Sequence, residues 1–236
     1  RMAGRQGTFG LILAPTREIA QQTQATIELL GGPRGVRSIV LIGGVDMRYD
    51  TQGLATYPQI IVATPGRLCD HLDRGNIWLD FIEMVVLDEA DRMLDMGFLP
   101  SLRIILDELP SKRQTMLFSA TMGQSVAGLV ASYVHNPVHI AVEVCAETAA
   151  RIDLFCYEVA QGSKFDLLEH LLKHETGSFL VFVATREGAD RLTKFLERGG
   201  HKVAAIHGDR SQSQRNEALE GFKNDVYRIL VATDVA

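Results

Sequence analysis

Three carboxylates crowd into residues 88–91, whose sequence is Asp-Glu-Ala-Asp. They directly follow the apolar run 84–87, which is rich in Val and predicts a strand buried on both faces. Carboxylates at a strand end repel one another unless a cation or polar partners hold them. Mg²⁺, bound through one or two carboxylates and substrate phosphates, is the usual partner. The alternative is a strand end whose solvated acids cap the following helix.

These acids belong to a chain that alternates buried strands with amphipathic helices. Such alternation predicts an α/β fold, in which helices cover a parallel sheet. Ligands of such sheets gather beyond the carboxyl ends of the strands, and the polar clusters of this chain lie at those positions. In the first half, strands are predicted at 10–14, 38–42, 59–63, 84–87, 114–118 and 138–142.

The periodicity lapses around residues 144–151, where we predict a linker. It separates a domain at 1–143 from a second domain at 152–236. The alternation of strands and helices then restarts. In the second half, strands are predicted at 154–159, 179–184, 203–206 and 229–232, with helices at 164–174, 186–198 and 211–222.

The second half of the sequence repeats the first. Residues 11–18 (Leu-Ile-Leu-Ala-Pro-Thr-Arg-Glu) are similar to residues 180–187 (Leu-Val-Phe-Val-Ala-Thr-Arg-Glu). Residues 60–64 and 229–233 match at the same offset of 169, which also aligns one Thr-Arg pair with the other. A shared offset favours a duplication over chance similarity between two apolar strands.

The repeated elements carry phosphate-binding chemistry. Thr hydroxyls, Arg guanidinium groups and the free N–H groups of helix starts all bind phosphate. Two copies suit a repeating anionic polymer, and the net charge of −5 requires that its site be a local patch or be built from backbone amides. Interleaved aromatic residues for base stacking are missing, so contacts would be to the backbone and independent of sequence. Trp78 is expected in the core.

Composition indicates a soluble, cytoplasmic protein. The three cysteines form neither a Cys-x-x-Cys motif nor an even framework, which is typical of a reducing compartment. No apolar run approaches the roughly 20 residues that a membrane-spanning helix needs. No signal peptide is evident at the first residues.

Taken together, the ordered motifs resemble those of the DEAD-box ATP-dependent RNA helicases. Residues 88–91 are followed by Ser-Ala-Thr at 119–121, and residues 92–98 resemble the bacterial RhlE-like branch. The other motifs that carry the resemblance are Pro-Thr-Arg-Glu at 15–18, Gly-Gly at 43–44, Thr-Pro-Gly-Arg at 64–67, Thr-Arg at 185–186, His-Gly-Asp at 207–209 with Gln212 and Arg215, and Ala-Thr-Asp at 232–234.

The resemblance implies two tandem RecA-like domains that close on RNA and hydrolyse ATP with Mg²⁺. Asp88 would hold Mg²⁺ through water, and Glu89 would orient and deprotonate the attacking water. Asp91 would link to Ser119 and Thr121 and so couple the state of the bound nucleotide to RNA binding. RNA contacts would come from Pro15, Thr16, Arg17, Gly43, Gly44, Thr64, Gly66, Arg67, Thr185, Arg186, Gly208, Gln212, Arg215 and Thr233.

No Gly-x-x-x-x-Gly-Lys-Ser/Thr phosphate loop occurs in this sequence. The resemblance therefore leads us to expect a fragment with both domains truncated, lacking the phosphate loop and the arginine finger and inefficient on its own. Two alternatives from other classes remain open. One is a nucleic-acid-binding scaffold without ATPase activity, and the other is a DNA helicase of related architecture.

Overall fold

The computed structural model of the protein describes residues 7–141 and 153–233. The chain divides into two compact units, with the division between Pro137 and Val138. The predicted linker at 144–151 lies outside the described residues, so the proposed domain boundaries stay predictions. Each unit is described separately below.

The first unit is built on a five-stranded parallel sheet with the strand order β2-β3-β1-β4-β5. Leu13, the last residue of β1, pairs with the last residues of β3 and β4. The carboxyl ends of the strands therefore meet at one edge. The strands are β1 (Gly10–Leu13), β2 (Ser38–Leu41), β3 (Ile60–Ala63), β4 (Met84–Leu87) and β5 (Gln114–Leu117).

Helices cover this sheet and close its core. Leu11, Leu13, Val85 and Leu87 are fully buried, as expected for strands covered on both faces. A Thr, Asp or Pro at the start of α1, α2 and α3 favours the helix at its first turn. The helices are α1 (Arg17–Gly31), α2 (Met47–Leu54), α3 (Pro65–Asp73), α4 (Ala90–Asp95), α5 (Leu99–Asp107) and α6 (Gln124–Tyr133).

The second unit has a three-stranded parallel sheet with the order β6-β8-β7. Its core contains Leu192, Leu196, Ile229 and Val231. The elements are α7 (Lys164–His174), β6 (Phe179–Phe182), α8 (Arg186–Arg198), β7 (Val203–Ile206), α9 (Gln212–Lys223) and β8 (Ile229–Ala232).

The strand order supports the internal duplication. The sequence repeat equates β1 with β6 and β3 with β8, and β2 occupies the place that β7 has in the second unit. The orders β2-β3-β1 and β7-β8-β6 are then the same. The matching helix starts also agree, because Thr16 caps α1 and Thr185 caps α8 through their side-chain oxygens.

Two strand predictions were wrong. Residues 138–141 of the predicted strand 138–142 are not a strand, and neither is any part of 154–159. Both segments have apolar side chains, but no strand within residues 7–141 and 153–233 pairs with them to complete their backbone hydrogen bonds. Their side chains consequently lie in solvent, and Leu154 is 90% exposed.

The expectation for Trp78 was also wrong, because its side chain is 71% exposed. Its neighbours Ile77 and Leu79 point into the core and leave Trp78 outside. Among the described residues, no helix combines the length and the apolar character needed to cross a bilayer.

Candidate functional site

The acidic turn at 88–91 is fixed by backbone hydrogen bonds at the carboxyl edge of the first sheet. The N–H of Asp88 donates to Leu13 O at 2.9 Å, and the N–H of Ala90 donates to Phe118 O at 2.9 Å. The Ala90 side chain is fully buried. The three carboxylates therefore leave the sheet beside the ends of β1 and β5.

Glu89 has an unusual backbone conformation, with φ 48° and ψ 54°. A non-glycine residue in the left-handed region costs of order 1–3 kcal/mol and is concentrated at functional sites. Its Oε2 atom is buried without a hydrogen-bond partner, and the nearest cation, Arg92 Nη1, is 3.9 Å away. The strained turn thus presents a carboxylate oxygen with free accepting capacity.

Asp91 connects this turn to residues 119–121, as the resemblance predicts. Its Oδ2 accepts hydrogen bonds from the backbone N–H and the hydroxyl of Thr121, both at 2.9 Å. Ser119 Oγ donates to Thr121 O at 2.6 Å and holds the second segment in place. Partial desolvation opposes ionisation, but the hydrogen bonds to the carboxylate outweigh it and lower the pKa of Asp91 below its ordinary value.

Arg17 lies against the glycine pair that follows β2. A Cβ atom on Gly44 would be 2.6 Å from Arg17 Nη1, and one on Gly43 would be 3.2 Å from Nη2. Gly44 also has φ 82°, which disfavours any side chain. Among the described residues, Arg17 has no ion pair or hydrogen bond through its guanidinium. The guanidinium and the glycine backbone together form a small cationic surface.

The second unit repeats this contact. A Cβ on Gly208 would lie 3.1 Å from Arg186 Cζ, so the Arg186 guanidinium packs on Gly208 as Arg17 packs on Gly44. Arg186 Nη1 additionally donates to Asp209 Oδ1 at 2.5 Å. Both side chains of this ion pair are largely exposed, at 59% and 63%.

The predicted site residues at 64–67 divide into an open and a buried part. A Cβ on Gly66 would meet nothing within 4 Å. Arg67, in contrast, has a side chain only 9% exposed. Its Nε donates to Asp50 Oδ2 at 2.7 Å and its Nη2 donates to Val45 O at 2.8 Å. A contact of Arg67 itself with RNA stays a prediction.

Sequence reasoning missed the partners of Arg67. Asp50 Oδ2 also lies 3.0 Å from Nε2 of the fully buried His71, whose Nδ1 faces Asn76 Nδ2 at 3.2 Å. His71 could have been found from its position, because it lies one turn after Arg67 on the same helix face. Asp50 lies 17 residues away and carries no comparable signal.

Three predicted RNA-binding residues of the second unit are buried: Gln212, Arg215 and Thr233. Gln212 Nε2 donates to Asn216 Oδ1 at 3.0 Å within α9. Nearby, the buried His207 has its Nε2 3.2 Å from Asp190 Oδ1, and Arg210 Nη2 donates to the same oxygen at 2.6 Å.

No group of three or more His, Cys, Asp or Glu side chains suitable for a metal occurs within the described parts of the chain. Cys69 and Cys156 are free thiols, and Cys145 lies outside the described residues. His170 and His174 stack on each other, with ring centroids 4.1 Å apart.

Sequence comparison identifies the family. A family model described as DEAD/DEAH box helicase matches residues 2–129, and one described as helicase conserved C-terminal domain matches residues 163–236. The chain belongs to the DEAD-box helicases. It is 42% identical over 230 residues to the ATP-dependent rRNA helicase RRP3 of Scheffersomyces stipitis, covering 97% of this chain and 48% of that protein.

Other relatives agree with this assignment. The ATP-dependent RNA helicase CshA of Listeria monocytogenes is 40% identical over 227 residues, which are 96% of this chain and 44% of that protein. S. cerevisiae Dbp5 bound to RNA and ADP BeF3 is similar in structure, with a TM-score of 0.81, 27% identity and coverage of 98% of this chain and 59% of that chain. The chain thus spans about half the length of the curated relatives it matches. These likenesses confirm two RecA-like domains, while the RhlE-like branch stays a prediction.

Proposed function

We propose that the complete protein is an ATP-dependent RNA helicase that remodels RNA duplexes while it hydrolyses ATP. The observation that carries this proposal is the strained turn of Glu89, whose buried Oε2 lacks a hydrogen-bond partner. Relatives named as ATP-dependent RNA helicases share about 40% of the sequence. No observation favours a scaffold without ATPase activity or a DNA helicase.

Glu89 is the residue that orients the attacking water and accepts its proton. A general base needs an accepting oxygen within reach of the water, and Oε2 has this capacity. The neighbouring Ala90 is buried, and this keeps the turn compact. The ordered backbone around Glu89 limits reorganisation during the reaction, because phosphoryl transfer depends mainly on positioning and on stabilisation of charge.

Asp88 would hold Mg²⁺ through water, with ATP as the nucleotide. The fit is chemical: oxygen ligands suit Mg²⁺, which commonly keeps several waters and uses only one or two carboxylates. When bound, Mg²⁺ neutralises charge that develops on the transferring phosphoryl group. Asp88 is anchored through its N–H to Leu13 O, so its carboxylate starts from a rigid strand end.

RNA is the proposed polymer, bound through its phosphates and sugars without sequence preference. Arg17 and Arg186, each on a glycine backbone, supply equivalent cations in the two repeats. The Asp91–Thr121 link, together with Ser119, would transmit nucleotide state to RNA. The remaining proposed RNA contacts are Pro15, Thr16, Gly43, Gly44, Thr64, Gly66, Thr185, Gly208, Gln212, Arg215 and Thr233.

The domain limits of 1–143 and 152–236, with a linker at 144–151, belong to this proposal. So does a cytoplasmic location, which the free Cys69 and Cys156 support.

The test is Glu89→Gln in the complete protein. The amide keeps the volume of the side chain but cannot accept a proton, so single-turnover hydrolysis should fall by roughly 10²–10⁴-fold while RNA binding persists. RNA should then dissociate more slowly in the presence of ATP. Hydrolysis within about threefold of wild type would contradict the assignment of Glu89 as base.

Two controls accompany this variant. Glu108→Gln makes the same change at an exposed residue at the end of α5 and should leave hydrolysis unchanged. Asp88→Asn removes a charge from the proposed Mg²⁺ position, so it should raise the Mg²⁺ concentration needed for half-maximal rate. Glu89→Gln should leave that requirement nearly unchanged.

A further inference from the structure

Arg67 belongs to a buried cluster of polar side chains. The cluster joins Asp50 on α2, Arg67 and His71 on α3, and Asn76 in the loop after α3. Asp50 is 4% exposed and His71 is 0% exposed. Charged groups are seldom buried this deeply unless they are paired.

The imidazole of His71 contacts two polar side chains of the cluster. Its Nδ1 lies 3.2 Å from Asn76 Nδ2, and its Nε2 lies 3.0 Å from Asp50 Oδ2. Arg67 Nε donates to the same Asp50 oxygen at 2.7 Å. His71 and Arg67 thus both hold the Asp50 carboxylate through this oxygen.

The cluster holds the loop that carries the Gly43–Gly44 pair. Arg67 Nη2 donates to Val45 O at 2.8 Å, directly after Gly44. Asp50 lies on the helix that this loop leads into. Arg67 thus connects α3 to the backbone directly after the Gly43–Gly44 pair, on which the Arg17 guanidinium packs, and to the helix that follows.

We propose that Asp50 and His71 are positioning residues for the RNA site of the first unit, and that Arg67 acts with them as a brace for the Gly43–Gly44 loop rather than as a phosphate ligand. This inference rests on the proposed RNA-binding function. RNA would meet the braced loop, Arg17 and the open side of Gly66, while the Arg67 guanidinium stays inside.

Salt dependence of RNA affinity separates a brace from a ligand. Loss of one phosphate contact lowers the slope of log affinity against log salt by about 0.7 for a single strand. In the complete protein, Arg67→Ala and Asp50→Ala should each weaken RNA binding roughly tenfold, as loss of supporting side chains commonly does, with an unchanged slope. The double variant should bind no worse than either single variant, because each substitution disrupts the same cluster.

Three further variants keep the inference testable if Asp50→Ala does not fold. His71→Gln keeps an N–H donor toward Asp50 and should retain most RNA affinity, whereas His71→Leu should not. Asn76→Leu removes only the group that orients the ring and should cause a smaller loss. In the His71 and Asn76 variants, kcat at saturating RNA and the affinity for ATP should change little. The RNA concentration needed for half-maximal ATPase activity should rise. Arg74→Ala removes the same charge at the exposed end of α3 and should have no effect.

Each outcome decides between the proposals. If Arg67→Ala lowers the salt slope by about 0.7 and Asp50→Ala does not, Arg67 is a phosphate ligand and the brace is wrong. Additive losses in the double variant, or equal losses for His71→Gln and His71→Leu, also contradict it. If the wild-type protein does not bind RNA, the proposed function is wrong, and the proposal that Arg67 braces the RNA site is wrong as well.

Discussion

Arg17 and Arg186 follow capping threonines at equivalent places in the two repeats, but their surroundings differ. In the first unit the glycine loop under Arg17 is tied to a buried ion pair of Asp50 with Arg67. In the second unit Arg186 shares an exposed ion pair with Asp209. The repeat thus preserves the backbone and the cap while the supporting charges have diverged.

This difference implies that the surface formed by Arg17 and Gly44 is stiffer than the surface formed by Arg186 and Gly208. Arg67 holds the backbone next to Gly44 through Val45 O, so the surface that Gly44 presents with Arg17 would be preorganised for the proposed RNA. Arg186 must leave Asp209, or share it, before it can contact a phosphate. The first unit would therefore bind through a preorganised surface and the second through an exchangeable one.

The largest expected contrast is in stability. Asp50→Asn leaves the buried Arg67 charge uncompensated and should lower the free energy of unfolding of the first unit by about 3–5 kcal/mol. Asp209→Asn breaks an exposed pair and should change that of the second unit by only about 0–1 kcal/mol. Denaturant titrations that follow each unit with a local probe measure both. Equal losses would show that the buried pair is not what stabilises the first unit.

A smaller contrast concerns the glycines. Gly44→Ala introduces a side chain at a left-handed position and should cost about 1–2 kcal/mol. It should also displace the Arg17 guanidinium, since the new Cβ would lie 2.6 Å from Nη1. Gly208→Ala needs only a shift of Arg186 by a few tenths of an ångström, so its cost should be under about 0.5 kcal/mol, as for an ordinary surface change. Thermal unfolding and RNA titration of both variants test this order.

The smallest effect is expected for pH. Because the folded-state pKa of Asp91 is lowered, its hydrogen bonds with Thr121 stabilise the first unit above the unfolded pKa of about 3.9. This contribution disappears as pH falls through the lowered folded-state value. Asp91→Asn should therefore reduce the loss of stability of the first unit below about pH 4. If Asp91→Asn leaves the loss of stability below about pH 4 unchanged, Thr121 does not stabilise the ionised Asp91 carboxylate.

The sequence predicted the elements whose signals are local. β4 with its acids, the alternation of strands and helices and the internal repeat could all be inferred from short stretches of the sequence. The strands predicted at 138–142 and 154–159 failed because a strand also requires a partner, which an apolar run does not supply. The predicted burial of Trp78 was wrong because apolar neighbours do not determine which of three adjacent side chains faces outward.

Within the candidate site, the residue types were predictable but their environments were not. The strain at Glu89 and the burial of Arg67 arise from contacts between distant segments, such as Ala90 with Phe118 and Arg67 with Asp50. No spacing rule in the sequence indicates that Asp50 faces His71. The division between surface ligands and buried supports therefore required the structure.

The central claim is that Arg17 and Arg186 are equivalent phosphate contacts in the two repeats. It is tested most directly by the salt dependence of RNA affinity in the complete protein, compared among wild type, Arg17→Ala, Arg186→Ala and the double variant. Between roughly 50 and 200 mM salt, each single substitution should lower the slope by about 0.7 and the double substitution by about 1.4. If one of the two single substitutions leaves the slope of log affinity against log salt unchanged, the two contacts are not equivalent.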